Sequence, residues 1–175
     1  MKKNILIFGL ISGLILSGYI ISFTLFEGVG NAVVGYSSMI IAFSFIFVAI
    51  KNFRDKYNEG VVTFGKAFLL GLGITLVGST VYVLAWVIDY YIFIPDFMDK
   101  YAVHLIKEAR DSGLTGAALD KKIAEVKHIG DLYKSPVMVV LFTYLEVVPV
   151  GLLISVFTAL ILKRKTPRTA TPVAA

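Results

Sequence analysis

Two carboxylates in this chain stand where charge is costly. Asp89 and Glu146 are the acids inside long apolar stretches that hold no Lys, Arg or His. An ionisable side chain at membrane depth marks a proton, ion or substrate path by default. Glu146 lies ten residues past Pro136, and at about 1.5 Å per helical residue that is ~15 Å deep, near the bilayer middle. Asp89 is five residues before Ile94, hence ~8 Å from the boundary by the same rise. A carboxyl without a cationic partner must recruit hydrogen-bond donors or carry a proton. Tyr82, Thr80 and Ser79 offer donors in one stretch, and Tyr36 and Ser37 in another. Pro149 follows Glu146 by three residues. It removes a backbone donor and crowds the carbonyl of Leu145, so a kink is expected there. Glu146 then reads in two ways: a proton- or cation-binding carboxylate in a polar cavity beside a hinge, or a hydrogen-bonded group that fixes helix register. Asp89 reads as a structural residue solvated at the interface. Paired across helices, the two acids are the one arrangement here that would suit an enzyme acting on lipid.

Other chemistry is scarce. The chain has no cysteine, so disulfides, thiolate metal sites and thiol nucleophiles are excluded. His104 and His128 have no local ligand pattern around them, and a surface role is expected rather than a metal site. There is no His-Glu-x-x-His, no Gly-x-Ser-x-Gly, no phosphate-binding Gly-rich loop and no dinucleotide fingerprint. The expectation is a protein without cofactor, bound metal or enzymatic activity. A net charge of +5 raises the question of nucleic acid. The basic residues sit at the ends of apolar blocks and form no continuous stripe, so no nucleic-acid partner is expected.

Those blocks are the elements that must position the acids. The 175 residues are 57% hydrophobic and 17% charged, against roughly 45–50% and 25% for a soluble domain, and mean hydropathy is +0.81. Roughly 20 apolar residues in a helix cross the bilayer. Spans are therefore predicted at about 4–26, 32–50, 67–94 and 137–162, all helical because lipid satisfies no backbone group. The fold class is an all-α integral membrane four-helix bundle, a single domain over residues 1–165. Met1-Lys2-Lys3 before an apolar run also resembles a secretory signal. The run is longer than a signal core and no Ala-x-Ala follows it, so a retained helix is expected.

Loop charges predict orientation. Lys2 and Lys3 precede the first span, and Lys163, Arg164, Lys165 and Arg168 follow the last. The second connection carries Lys51, Arg54, Lys56 and Lys66 against Asp55 and Glu59, the first only Glu27, and the third seven charges of each sign. Both ends and the second loop are thus expected on the cytoplasmic side. The third connection is too long for a bare loop. It is predicted as an amphipathic helical hairpin over about 96–130, on the outer membrane surface or capping the bundle. Its first helix presents Phe97, Tyr101, Leu105 and Ile106 on one side, and Ser112-Gly113 ends it. Thr115 would cap the second helix, with Leu114 stapled onto Leu119. Trp86, Tyr90, Tyr91 and Phe93 read as an interfacial aromatic belt. Residues 166–175 are expected to be disordered.

Small residues recur every fourth position: Gly9, Gly13 and Ser17; Gly71, Thr75 and Ser79; Gly151, Ser155 and Ala159. Each stripe lets a second backbone approach closely, the main route to helix association in lipid. Packing within the chain is the expected use, with homo-oligomer formation through one stripe as the alternative.

The chain resembles the bacterial membrane domain-of-unknown-function family 4199. The likeness runs from about Met1 to Lys165. It rests on the Lys-rich start, Lys51-Asn52-Phe53-Arg54, Phe64-Gly65-Lys66-Ala67-Phe68, Ile94-Pro95, and Glu146-Val147-Val148-Pro149-Val150-Gly151 with Ser155. The resemblance implies a four-span inner-membrane protein with no assigned activity, and a membrane glycosyltransferase as the kind of partner such proteins accompany. From all of this the expected function is a non-enzymatic accessory or scaffold subunit of a membrane complex, the lipid bilayer being its solvent. The alternative is a small proton- or cation-coupled carrier using Glu146.

Overall fold

The computed structural model describes residues 1–25 and 32–164. Four long helices are α1 (Lys2–Leu25), α2 (Ala32–Asn52), α3 (Phe64–Ile88) and α6 (Pro136–Leu162). Two shorter ones, α4 (Phe97–Asp111) and α5 (Gly116–Tyr133), lie between α3 and α6. The expected loop at Glu27, the basic residues Lys165 and Arg168, and the tail lie outside the described residues.

Four helices are long and apolar enough to cross a membrane, with bounds close to those read from the sequence. Two of them extend past their α-helical segments as π-helical turns, Phe53–Tyr57 and Asp89–Phe93. In the second the Ile94 N–H donates to the Asp89 carbonyl at 2.9 Å, one residue farther than in an α-helix. Local chemistry sets the remaining ends. The Thr63 hydroxyl accepts from the Lys66 N–H at 3.4 Å to open α3, as an N-cap should. Pro136 occupies the first turn of α6, where its missing N–H costs nothing. Gly113 has φ +87°, and the Leu114 N–H returns to the Ala109 carbonyl at 3.0 Å, so the left-handed stop after α4 is real. Two details differ from the sequence reading. Thr115 holds the extended backbone of an N-cap, but its hydroxyl makes no capping hydrogen bond. Gly130 lies inside α5, which continues to Tyr133 and is ended by the Ser135-Pro136 step.

The small-residue stripes are consumed within the chain. A Cβ on Gly9 would fall 2.6 Å from Val77 Cβ, and one on Gly71 2.8 Å from Ser155 Oγ. Gly13 faces Val81 and the Gly78 carbonyl, and Gly151 faces Thr75. These contacts seat α1 on one side of α3 and α6 on the other, which makes α3 the central helix. Ser17 is buried too, its hydroxyl turned back to the Gly13 carbonyl at 2.8 Å. Polar contacts cross the same seams: the Ser12 hydroxyl donates to the Ala42 carbonyl on α2 at 2.8 Å, and the Thr75 and Ser155 hydroxyls are 3.3 Å apart. Around them pack Leu16, Phe43, Ile46, Leu70, Ile74 and Val147, all fully buried.

At the end of the bundle that carries Lys2, Lys51 and Lys163, the α2–α3 loop meets the end of α6. Val62 and Arg164 exchange backbone hydrogen bonds at 3.1 and 2.8 Å as an antiparallel pair. The Arg54 guanidinium donates to the Leu162 carbonyl at 3.4 Å and pairs with Asp55 at 2.6 Å. The opposite end is covered by the α4–α5 hairpin.

Candidate functional site

Between the hairpin and the upper bundle lies a cavity of about 440 Å³, within the range of small-molecule sites. Every helix contributes to it. Tyr19 and Ile20 come from α1, and Ala32, Gly35, Tyr36 and Met39 from the start of α2. Tyr82 and Trp86, one turn apart, come from α3. The hairpin supplies Phe97, Met98 and Tyr101 from α4, with Ile129 and Tyr133 from α5. From α6 come Phe142, Thr143 and Glu146. Amphipathic spacing explains the roof, because the apolar face of α4 and of α5 finds rings below it rather than lipid.

Glu146 is the one charged side chain among the described residues lining this space. It is exposed although Thr143 and Val147 beside it are buried, because open cavity rather than packed protein adjoins it. The walls are held rigid by interlocked rings. Trp86 meets Phe97 edge-on with centroids 4.9 Å apart. Phe97 stacks on Tyr101 at 5.6 Å, and Tyr133 stacks on Phe142 at 5.6 Å. Tyr90 joins the group from behind, its ring 6.0 Å from Tyr133 and 6.3 Å from Phe97. The electrostatics of the roof register the acid below. Burial first, and the Glu146 carboxylate second, push the Tyr133 phenol up to about 12. The same two causes raise Tyr101. Both phenols are therefore neutral donors at physiological pH.

The expected partners of Glu146 are sorted by this geometry. Tyr82 and Tyr36 share its cavity, whereas Thr80, Ser79 and Ser37 do not line it. The Thr80 hydroxyl donates to the Leu76 carbonyl at 2.8 Å and lies 2.9 Å from the Tyr144 hydroxyl. Ser79 is fully buried with no hydrogen-bond partner for its Oγ. Asp89 corrects the sequence reading. It is only 7% exposed, buried at the start of the π-helical turn rather than solvated, on the helical path that α3 carries into that turn, its N–H still reaching the Ala85 carbonyl. It does not line the cavity, so the two acids do not share the site that a lipid-acting pair would need. Pro149 sits within α6, which continues through it. His104 and His128 are exposed, and among the described residues no three His, Asp or Glu side chains come together to hold a metal.

The ring cluster around the cavity was what sequence reasoning missed. Tyr19, Tyr133 and Phe142 had no shared motif with Glu146, and only the apolar face of the hairpin, where Tyr101 was placed, hinted that aromatic side chains would point one way.

An all-α membrane protein of four spanning helices, with an amphipathic hairpin over a cavity lined by Glu146, is the class this architecture defines. A family model described as "Protein of unknown function (DUF4199)" matches residues 6–164, and the chain belongs to that family. No curated protein and no solved structure matches it.

Proposed function

We propose that this is a small, non-enzymatic membrane carrier that binds a proton or a cation at Glu146. The observation that supports the reading is the placement of Glu146. Among the described residues, Glu146 is the one acid lining a ligand-sized cavity whose walls carry no Lys, Arg or His. An acid kept at membrane depth without a basic partner is expensive unless something positive visits it. The lysine- and arginine-bearing end is taken as cytoplasmic by the positive-inside rule. Both termini are then inside a bacterial inner membrane, and the cavity opens toward the outer face. Reconstituted in proteoliposomes, the protein should carry a cation- or proton-linked flux that Glu146→Gln abolishes while the variant still folds. Wild-type and Gln variants with equal flux would refute the reading.

A second reading, the accessory subunit, draws on the outward side of the hairpin, where Lys107, Glu108, Arg110 and Asp111 are exposed. A membrane-protein partner, of which a glycosyltransferase is the kind the family resemblance implies, would dock there. It has less support, since the small-residue stripes that would have recruited a neighbour are occupied by this chain's own helices. Capture of a stable partner in mild detergent, lost on reversing those four charges, would favour it.

A further inference from the structure

The lining of the cavity says which kind of cation fits. Of the sixteen described residues that line it, eight are aromatic. A small inorganic cation such as Ca²⁺ needs six to eight oxygen ligands, and rings do not supply them. A cavity of about 440 Å³ is also far larger than a dehydrated metal ion. Aromatic faces carry negative quadrupole charge, and a cage of them attracts an alkylated ammonium that sheds its water easily. A carboxylate at the base of such a cage completes the recognition by charge.

We infer that the cavity is a receptor for an organic ammonium ion, its head placed against Glu146 and its carbon substituents against the rings of Tyr82, Trp86, Tyr101 and Tyr133. This rests on the reading of Glu146 as the cation-binding acid and narrows it to a substrate class. The same head occurs on a free amine and on the ethanolamine group of a phospholipid. The hairpin roof, built from both Tyr101 and Tyr133, makes the aromatic part of the cage separable from the four spans that hold Glu146.

Trp86 lines the cavity and is the chain's only tryptophan, so its emission reports occupancy directly. The full chain in nanodiscs of phosphatidylglycerol is titrated with tetraethylammonium chloride, and separately with sodium chloride at matched ionic strength. A saturable change with tetraethylammonium and none with sodium is expected. Glu146→Gln should weaken it about tenfold or more, as loss of the countercharge facing a cation out of bulk water does. Tyr101→Leu, on the hairpin and outside the spans, should weaken it roughly 2- to 30-fold, the range of a cation–π contact, with unchanged circular dichroism. In nanodiscs containing phosphatidylethanolamine, a lipid ligand would hold Trp86 at its saturated emission from the start. An unshifted starting emission there would assign the site to a free amine. A saturable response to sodium alone would overturn the inference and leave the carrier reading standing. No response to either salt would overturn the inference alone; equal affinity in wild type and Glu146→Gln, together with equal proton-linked flux in the two, would overturn both.

Discussion

Tyr133 is bound into three elements at once. Its ring stacks on Phe142 of α6, its carbonyl accepts from the Tyr90 hydroxyl at 3.4 Å, and it ends α5. Its phenol is raised from 10.0 to about 12 in the fold. Below pH 10 the phenol is protonated both folded and unfolded, and pH has no leverage through it. Between 10 and 12 the unfolded chain releases a proton that the folded chain retains, so stability falls as pH rises. Wild type should lose about 1 kcal/mol more than Tyr133→Phe over that window, a figure lowered for solvent screening of the partly exposed ring. Thermal unfolding in detergent at pH 9, 10 and 12 measures the difference, and parallel curves for the two proteins would contradict it. The surface pairs Lys100–Asp96 at 2.9 Å and Lys134–Asp131 at 2.7 Å lower their carboxyls through hydrogen bonding to lysine. They are fully solvated and serve the hairpin locally.

For the helices, length and close approach explain almost everything, which is why they were readable. Uninterrupted apolar runs pointed to four spanning helices, and four are found, because in lipid a backbone has no alternative to the helix. The stripe at Gly71, Thr75 and Ser79 and the one at Gly151 and Ser155 pointed to contact but could not say with whom. The answer depends on the order in which helices neighbour each other, and a four-residue period carries no such address. Gly151→Ala would bring a Cβ to 2.6 Å from Thr75 Oγ1 and should cost about 1–3 kcal/mol, as overpacking does. Gly18 has nothing within 4 Å of its notional Cβ, and Gly18→Ala should change stability by less than about 0.5 kcal/mol. Denaturation in mixed micelles separates the two. Asp89 was misplaced for a related reason: distance from the span's end says nothing about which face of α3 a residue occupies, and Asp89 falls on a buried one.

In the whole molecule, the cavity was half legible. Glu146 announced itself as an acid in an apolar run, but the rings around it come from six helices and are near one another only once the hairpin folds over the bundle. Aromatic residues near a membrane boundary read equally well as an interfacial belt, and Trp86 and Tyr90 were read so. Topology is open to a direct check. Single cysteines replacing the exposed Lys56 and Thr115 in this cysteine-free chain should label from opposite faces with an impermeant maleimide. Labelling from one face would break the four-span arrangement. The pairing of Val62 with Arg164 carries one more consequence, for biogenesis. These two residues belong to opposite halves of the polypeptide, and the second is added only after the last of the four spans has been synthesised. Their clasp therefore cannot close on a partly inserted intermediate, and it acts as a molecular time stamp for the finished protein.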